Sequence, residues 1–144
     1  MEQRMEKIRK FFEDEDKFAR HAGLELLDLS PGYAKVSMAI KPFHLNGAQT
    51  VHGGALFTLA DYAFAVASNS HGNLAMGIAT SMSFIKAVTQ GTVYAEAQEV
   101  SKNARLGTYS VRITDQAGEV VALFQGTVYR KQNTILPLED VGAR

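Results

Sequence analysis

The sequence predicts an α+β fold in which one antiparallel sheet curls around a single long helix, with a second, polar helix in front. Three observations point there. Residues 54–69 form an almost wholly apolar, Ala-rich helical stretch, the flanking segments alternate apolar and polar residues between short turns, and residues 2–20 carry an amphipathic helical pattern of their own. A helix that is apolar nearly all round has to be covered on most sides. A wrapped sheet does this; a plain layer with the helix across one face is the alternative.

Length and composition set the frame. At 144 residues and 46% hydrophobic, the chain suits one domain, with an N-terminal helix over 2–20, a core over 22–131 and a flexible tail over 132–144. Lysine plus arginine equal aspartate plus glutamate at 15 each, so no net field draws the chain to nucleic acid or an anionic membrane. Zero cysteines exclude disulfides, thiolate metal sites and a cysteine nucleophile, and suit a reducing compartment. The first twenty residues are charged throughout, and no apolar run approaches the roughly 20 residues that span a bilayer. A cytoplasmic protein is expected.

In order, Met5, Ile8 and Phe12 recur at helical spacing, and the run Glu13-Asp14-Glu15-Asp16 reads as a solvated face. Gly23 ends the helical region. Residues 24–29 and 33–40 read as a hairpin around Ser30-Pro31-Gly32, with Ala34, Val36, Met38 and Ile40 on one face. The polar loop from His44 to His52 leads into Gly53-Gly54 and the long helix, which Gly72 closes off. Strands follow at 75–87, 92–100, 105–114 and 119–130, and their short turns predict a four-stranded antiparallel meander.

Chemistry concentrates at the long helix. Gly54, Thr58, Asp61, Ala65 and Ser68 fall along one small or polar stripe, and Asp61 is a carboxylate about two turns inside an apolar helix. Such a group costs several kcal/mol or shifts its pKa upward unless donors or water meet it. No lysine or arginine lies between residues 42 and 85, which excludes a local ion pair. Asp61 is therefore a general base or nucleophile, or else a carboxylate bonded to a neighbouring chain or reaching solvent at an edge. Free N–H groups at Gly53 and Gly54, backed by the helix dipole, can polarise a carbonyl oxygen, although the glycines also suit a turn. The four histidines form no metal pair, no Gly-x-Ser-x-Gly elbow is present, and Gly-rich phosphate motifs are absent. Asp16 and His21 have a dyad-like spacing without supporting neighbours.

The run Asn46-Gly47-Ala48-Gln49-Thr50-Val51-His52-Gly53-Gly54, followed by Leu59-Ala60-Asp61, resembles the PaaI-like (phenylacetate-degradation) acyl-CoA thioesterases of the hotdog fold. Phe18-Ala19-Arg20-His21-Ala22-Gly23-Leu24-Glu25 and Phe84-Ile85-Lys86-Ala87 are similar to that family too, so the match covers about residues 16–130. The resemblance implies an acyl-CoA substrate and no cofactor or metal. It implies that the Gly53 N–H polarises the thioester carbonyl, that Asp61 is the base or nucleophile, that Asn46 orients the water or the acid, and that His52 fixes the loop. It also implies a homodimer as the minimal active unit, with Asp61 and the helix mouth from different subunits, and dimers paired into a homotetramer.

Gly77-Ile78-Ala79 replace a serine, threonine or aspartate found after the helix in many relatives, which leaves Thr80 and Ser81 as the nearest polar candidates. With Gly54, they join Lys102 and Arg105 as candidate substrate contacts; the latter two and Lys86 either meet coenzyme A phosphates or are the ordinary solvated charges of a sheet edge. Eight residues along a helix is roughly 12 Å, too far for Gly53 and Asp61 of one chain to grip one carbonyl. A non-catalytic acyl-CoA binding or sensing module is the second reading, and a dehydratase, which needs a histidine beside the acid, is the third.

Overall fold

The computed structural model describes residues 2–136. Two helices, α1 (Glu2–Glu15) and α2 (Lys17–Ala22), precede strands β1 (Leu24–Ser30) and β2 (Tyr33–Ala39). A short 3-10 turn at Pro42–His44 leads to the long helix α3 (Gly53–Asn69), and then come β3 (Asn73–Phe84), β4 (Thr92–Lys102), β5 (Leu106–Thr114) and β6 (Val120–Thr134).

The strands form one antiparallel sheet in the order β1-β2-β4-β5-β6-β3, and α3 contacts every strand as well as α1 and α2. The sheet wraps the helix, as the apolar circumference of α3 requires. Leu59, Ala60, Ala63, Val66 and Ala67 are fully buried against Val36, Met38, Ala95, Val111 and Ile113 from the sheet. Small side chains let backbone come close: a Cβ on Gly126 of β6 would stand 2.6 Å from Phe64 Cζ, so only glycine leaves room for that ring.

Three expectations need correction. The helix expected over 2–20 is two helices, because Asp16 leaves helical geometry and its Oδ1 accepts the Ala19 N–H at 3.1 Å, capping a new helix. The four-strand meander is only three strands long: β3 pairs with β6 at the far edge and not with β4. The segment 85–91 makes this possible, since seven residues reach about 23 Å and three strand spacings are about 14 Å. A short connection is thus not necessarily a hairpin. Finally, the tail expected to be flexible from 132 starts as strand, with β6 running to Thr134, the Ile135 N–H bonded to the Gly72 carbonyl, and Leu136 buried. Residues 137–144 of that tail lie outside the described residues.

Met5, Ile8 and Phe12 do line the buried side of α1, and Gly23, at φ 81°, ends α2. Among the described residues, β3 is bonded along one edge only, and on it Met76 and Ile78 are 52% and 60% exposed.

Candidate active site

The start of α3 has four N–H groups that need partners from outside the helix or from its first turn. His52 answers three of the four with one residue. Its Nδ1 accepts the Gly54 N–H at 2.8 Å, and its carbonyl accepts from Ala55 and Leu56 at 2.9 and 3.2 Å. Because Nδ1 accepts, the ring proton resides on Nε2. Gly53 is what remains: among the described residues, nothing accepts its N–H. The donor that the sequence suggested as an electrophilic aid is left unspent, and Gly54, its companion candidate, is engaged by His52.

A hollow of about 370 Å³ opens at this donor, bounded by Asn46, Thr50, Gly53, Leu56, Phe84 and Lys86. The Phe84 ring lies over Gly53, 3.2 Å from where a Cβ would be. Asn46 shares the hollow, but its side chain works within its own loop. Its Oδ1 accepts the Ala48 and Thr50 N–H groups at 2.9 and 3.2 Å, and its Nδ2 donates to Thr50 Oγ1 at 3.0 Å. His44, buried below, accepts the Lys41 N–H on Nδ1 and places Nε2 2.7 Å from the Ala22 carbonyl, joining the loop to α2.

Asp61 lies two turns along α3 on its exposed stripe with Gly54, Phe57 and Thr58, whereas Ser68, expected on the same stripe, is buried. Solvent reaches the Asp61 carboxylate, yet surrounding protein desolvates it enough to push its pKa up, and the charge of Asp16 pushes in the same direction. Asp16, read from sequence as part of a solvated acidic face, is half-buried at the α1–α2 break. The break itself was the missed signal, since an aspartate that can cap a helix three residues before an N–H also ends the helix before it.

The other candidates scatter. Thr80 shares with Met82 and Phe84 the side of β3 that faces α3, by the alternation of a strand. Ser81 lines a hollow on the outer side of the sheet with Tyr33, Glu96 and Arg112. Lys102 and Arg105 flank the β4–β5 turn, near Glu99 and the C-terminal end of α3. Lys86 donates to Asp115 at 2.7 Å and Glu119 at 2.6 Å, a surface clasp onto the β5–β6 turn. Among the described residues, no three histidine, aspartate or glutamate side chains converge as metal ligands.

Residues 48–122 match the family model of the thioesterase superfamily. The chain belongs to that family. It is 40% identical over 136 residues to an esterase-named protein of Archaeoglobus fulgidus, covering 94% of this chain and 88% of that one. It is 37% identical over 123 residues to the acyl-coenzyme A thioesterase PaaI of Escherichia coli K12, covering 85% and 88%. The structure of the E. coli PaaI protein of the phenylacetic acid degradation operon superposes with a TM-score of 0.89 at 34% identity, over 92% of this chain and 97% of that chain. The wrapped sheet is thus the hotdog fold, and this PaaI-like member of the superfamily is a thioester hydrolase. No helix among the described residues is long and apolar enough to cross a membrane.

Proposed function

We propose that the protein hydrolyses an acyl-coenzyme A thioester to a carboxylic acid and free coenzyme A. The observation that carries this reading is the unspent Gly53 N–H, at the positive end of a helix dipole, beside a carboxylate stripe whose Asp61 is made more basic than usual. The Gly53 N–H receives the thioester carbonyl oxygen and holds the negative charge that develops there. Asp61 takes a proton from the attacking water, or itself adds to the carbonyl carbon. In either route the C–S bond breaks as the tetrahedral adduct collapses, and the thiolate leaves and takes up a proton; where Asp61 is the nucleophile, the acyl group is left on it as a mixed anhydride, which a water then hydrolyses to the carboxylic acid and free Asp61.

In this reading Gly53 and Asp61 of one chain, roughly 12 Å apart along the helix, serve different sites of a homodimer. The free edge of β3 suits that dimer, since an unpaired edge carrying exposed Met76 and Ile78 extends naturally by pairing with a second copy. Dimers then pair into a tetramer. Asn46 and His52 shape the mouth around the donor, Thr80 stands on the α3 side of β3, and Ser81, Lys102 and Arg105 remain substrate contacts to test by substitution. The 37% identity to the acyl-coenzyme A thioesterase PaaI supports acyl-coenzyme A as the substrate class.

The test is a mixed oligomer. Gly53→Pro deletes the free N–H, since proline fits the first helical position and His52, at φ −59° and ψ 136°, has the extended geometry that precedes proline; Gly53→Ala, which brings a Cβ against Phe84 but keeps the N–H, is the control for added bulk. Gly53→Pro and Asp61→Asn should each release almost no thiol from acyl-coenzyme A substrates, while co-refolded mixtures regain activity through sites that draw both intact residues. Mixtures as inactive as the parents would refute the shared site. Saturable binding without thiol release by the unaltered protein would turn the reading to a binding module.

A further inference from the structure

We propose that Asp16 is a positioning residue of the Asp61 half-site, its negative charge held against Asp61 so that the two carboxylates work as a pair. The inference rests on the reading of Asp61 given above, and it starts from how α2 is attached. Asp16 follows Phe12 by one turn, its N–H bonded to the Phe12 carbonyl at 3.2 Å, and the Phe12 ring packs edge-on to Tyr62, the neighbour of Asp61, with centroids 6.2 Å apart. From there α2 runs along the exposed stripe of α3 in the opposite direction. Phe18, His21 and Ala22 face Gly54, Ala55 and Thr58 across a groove of about 750 Å³, and the Ala22 carbonyl is tied to His44 at the mouth. With the end of α2 at the start of α3, its beginning is level with Asp61.

Asp16 is also the residue that cannot easily turn away, since its Oδ1 is held by the Ala19 N–H and it shields a buried Ala19. The charges around the pair are few. Glu13 and Arg9 of α1 act on Tyr62, His21 and His52 border the groove, and the sheet side of α3 meets apolar residues such as Val36, Ala97 and Ile113. Burial and the Asp16 charge act on Asp61 in the same sense, and Asp16 acts on Tyr62 as well, which places its charge over this segment of α3. A like charge beside a base makes it hold a proton more readily. The Asp16 charge therefore helps to set how readily Asp61 holds its proton.

Asp16→Asn and Asp16→Ser both keep a competent cap for α2 while removing the charge. The protein, labelled with 13C at the aspartate carboxyl carbon, is titrated by NMR in its full-length form, with Asp61→Asn identifying the resonance. Both charge-removing variants should move the Asp61 midpoint to lower pH, and the acid limb of kcat/KM should move the same way. An Asp61 midpoint that stays in place in both variants would overturn the pairing, whatever the activities. The hydrolase reading fails separately, if Asp61→Asn turns over substrate at the unaltered rate, because the NMR midpoint is read without catalysis.

Discussion

The two ends of α3 are built on opposite principles. At the C-terminal end the side chains of Asn69 and Ser70 are fully engaged. Asn69 donates to the Ala65 and Ala75 carbonyls and accepts the Ala75 N–H at 2.9 Å, and Ser70 Oγ accepts the Gly32 N–H at 2.7 Å while donating to Ala67. Beside them Glu99 receives Tyr109 Oη at 2.7 Å and lies 2.7 Å from His71 Nε2. Toward the N-terminal end, neither an acceptor for the Gly53 N–H nor a counter-charge that lowers the Asp61 pKa is found among the described residues. Satisfied polar groups hold a fold together, whereas unsatisfied ones in a hollow wait for a ligand. Structural pairing thus concentrates at one end, and the groups proposed for chemistry at the other.

The comparison breaks most readily at its chemical end. Asp61→Asn should lower kcat by roughly 10²- to 10⁴-fold, the range of general acid–base effects, with the circular dichroism spectrum unchanged. Gly53→Pro should cost on the order of 10²- to 10³-fold in kcat by removing one preorganised donor. Ordinary turnover in either variant would mean that the open end of α3 is not where the reaction occurs.

At the satisfied end the expected loss is stability. Asn69→Ala leaves the buried Ala75 N–H without a partner and should destabilise the protein by about 2–3 kcal/mol in urea unfolding, with kcat of the folded fraction unchanged. His52→Ala tests the boundary between the two behaviours. It removes the α3 cap, worth about 1 kcal/mol, but frees the Gly54 N–H to compete with Gly53 for the carbonyl, so kcat should fall more than stability does.

The smallest effects are in pH dependence, where the two ends differ in sign. Burial alone would raise the pKa of Glu99, but hydrogen bonds from Tyr109 and His71 and the charges of His71 and Lys102 together bring it below the usual glutamate value. Its stabilising contribution is present above the unfolded pKa and is lost as pH falls through the lowered folded value, so Glu99→Gln should flatten the acid side of a melting-temperature profile. Asp61 is raised, so its ionisation costs stability as pH climbs from the unfolded value through the folded one, and Asp61→Asn should be at least as stable as the unaltered protein at neutral pH. A drop in melting temperature at pH 7 for Asp61→Asn would show that the carboxylate has a structural partner.

Much of this was legible in the chain. The apolar circumference of α3, the stripe carrying Gly54, Thr58 and Asp61, and the absence of a basic residue between 42 and 85 follow from order along the chain, because helical period and local charge need no tertiary contact. The pattern of alternation found the strands, and residues 46–61 carried the family resemblance. Strand neighbours were not legible, since a seven-residue connection suits either a hairpin or a crossing, and only the packing of β3 against β6 around Phe64 decides. Nor was the choice of donor. That Gly53 and not Gly54 is left free depends on where the His52 ring turns, and that the segment around Asp16 packs on α3 depends on a helix break that the sequence pattern does not show. Sequence alone determined which residues could do chemistry, because residue type and period are local properties. The tertiary structure decided which of them are unpaired, because a hydrogen bond is spent or free only once every neighbour is in place.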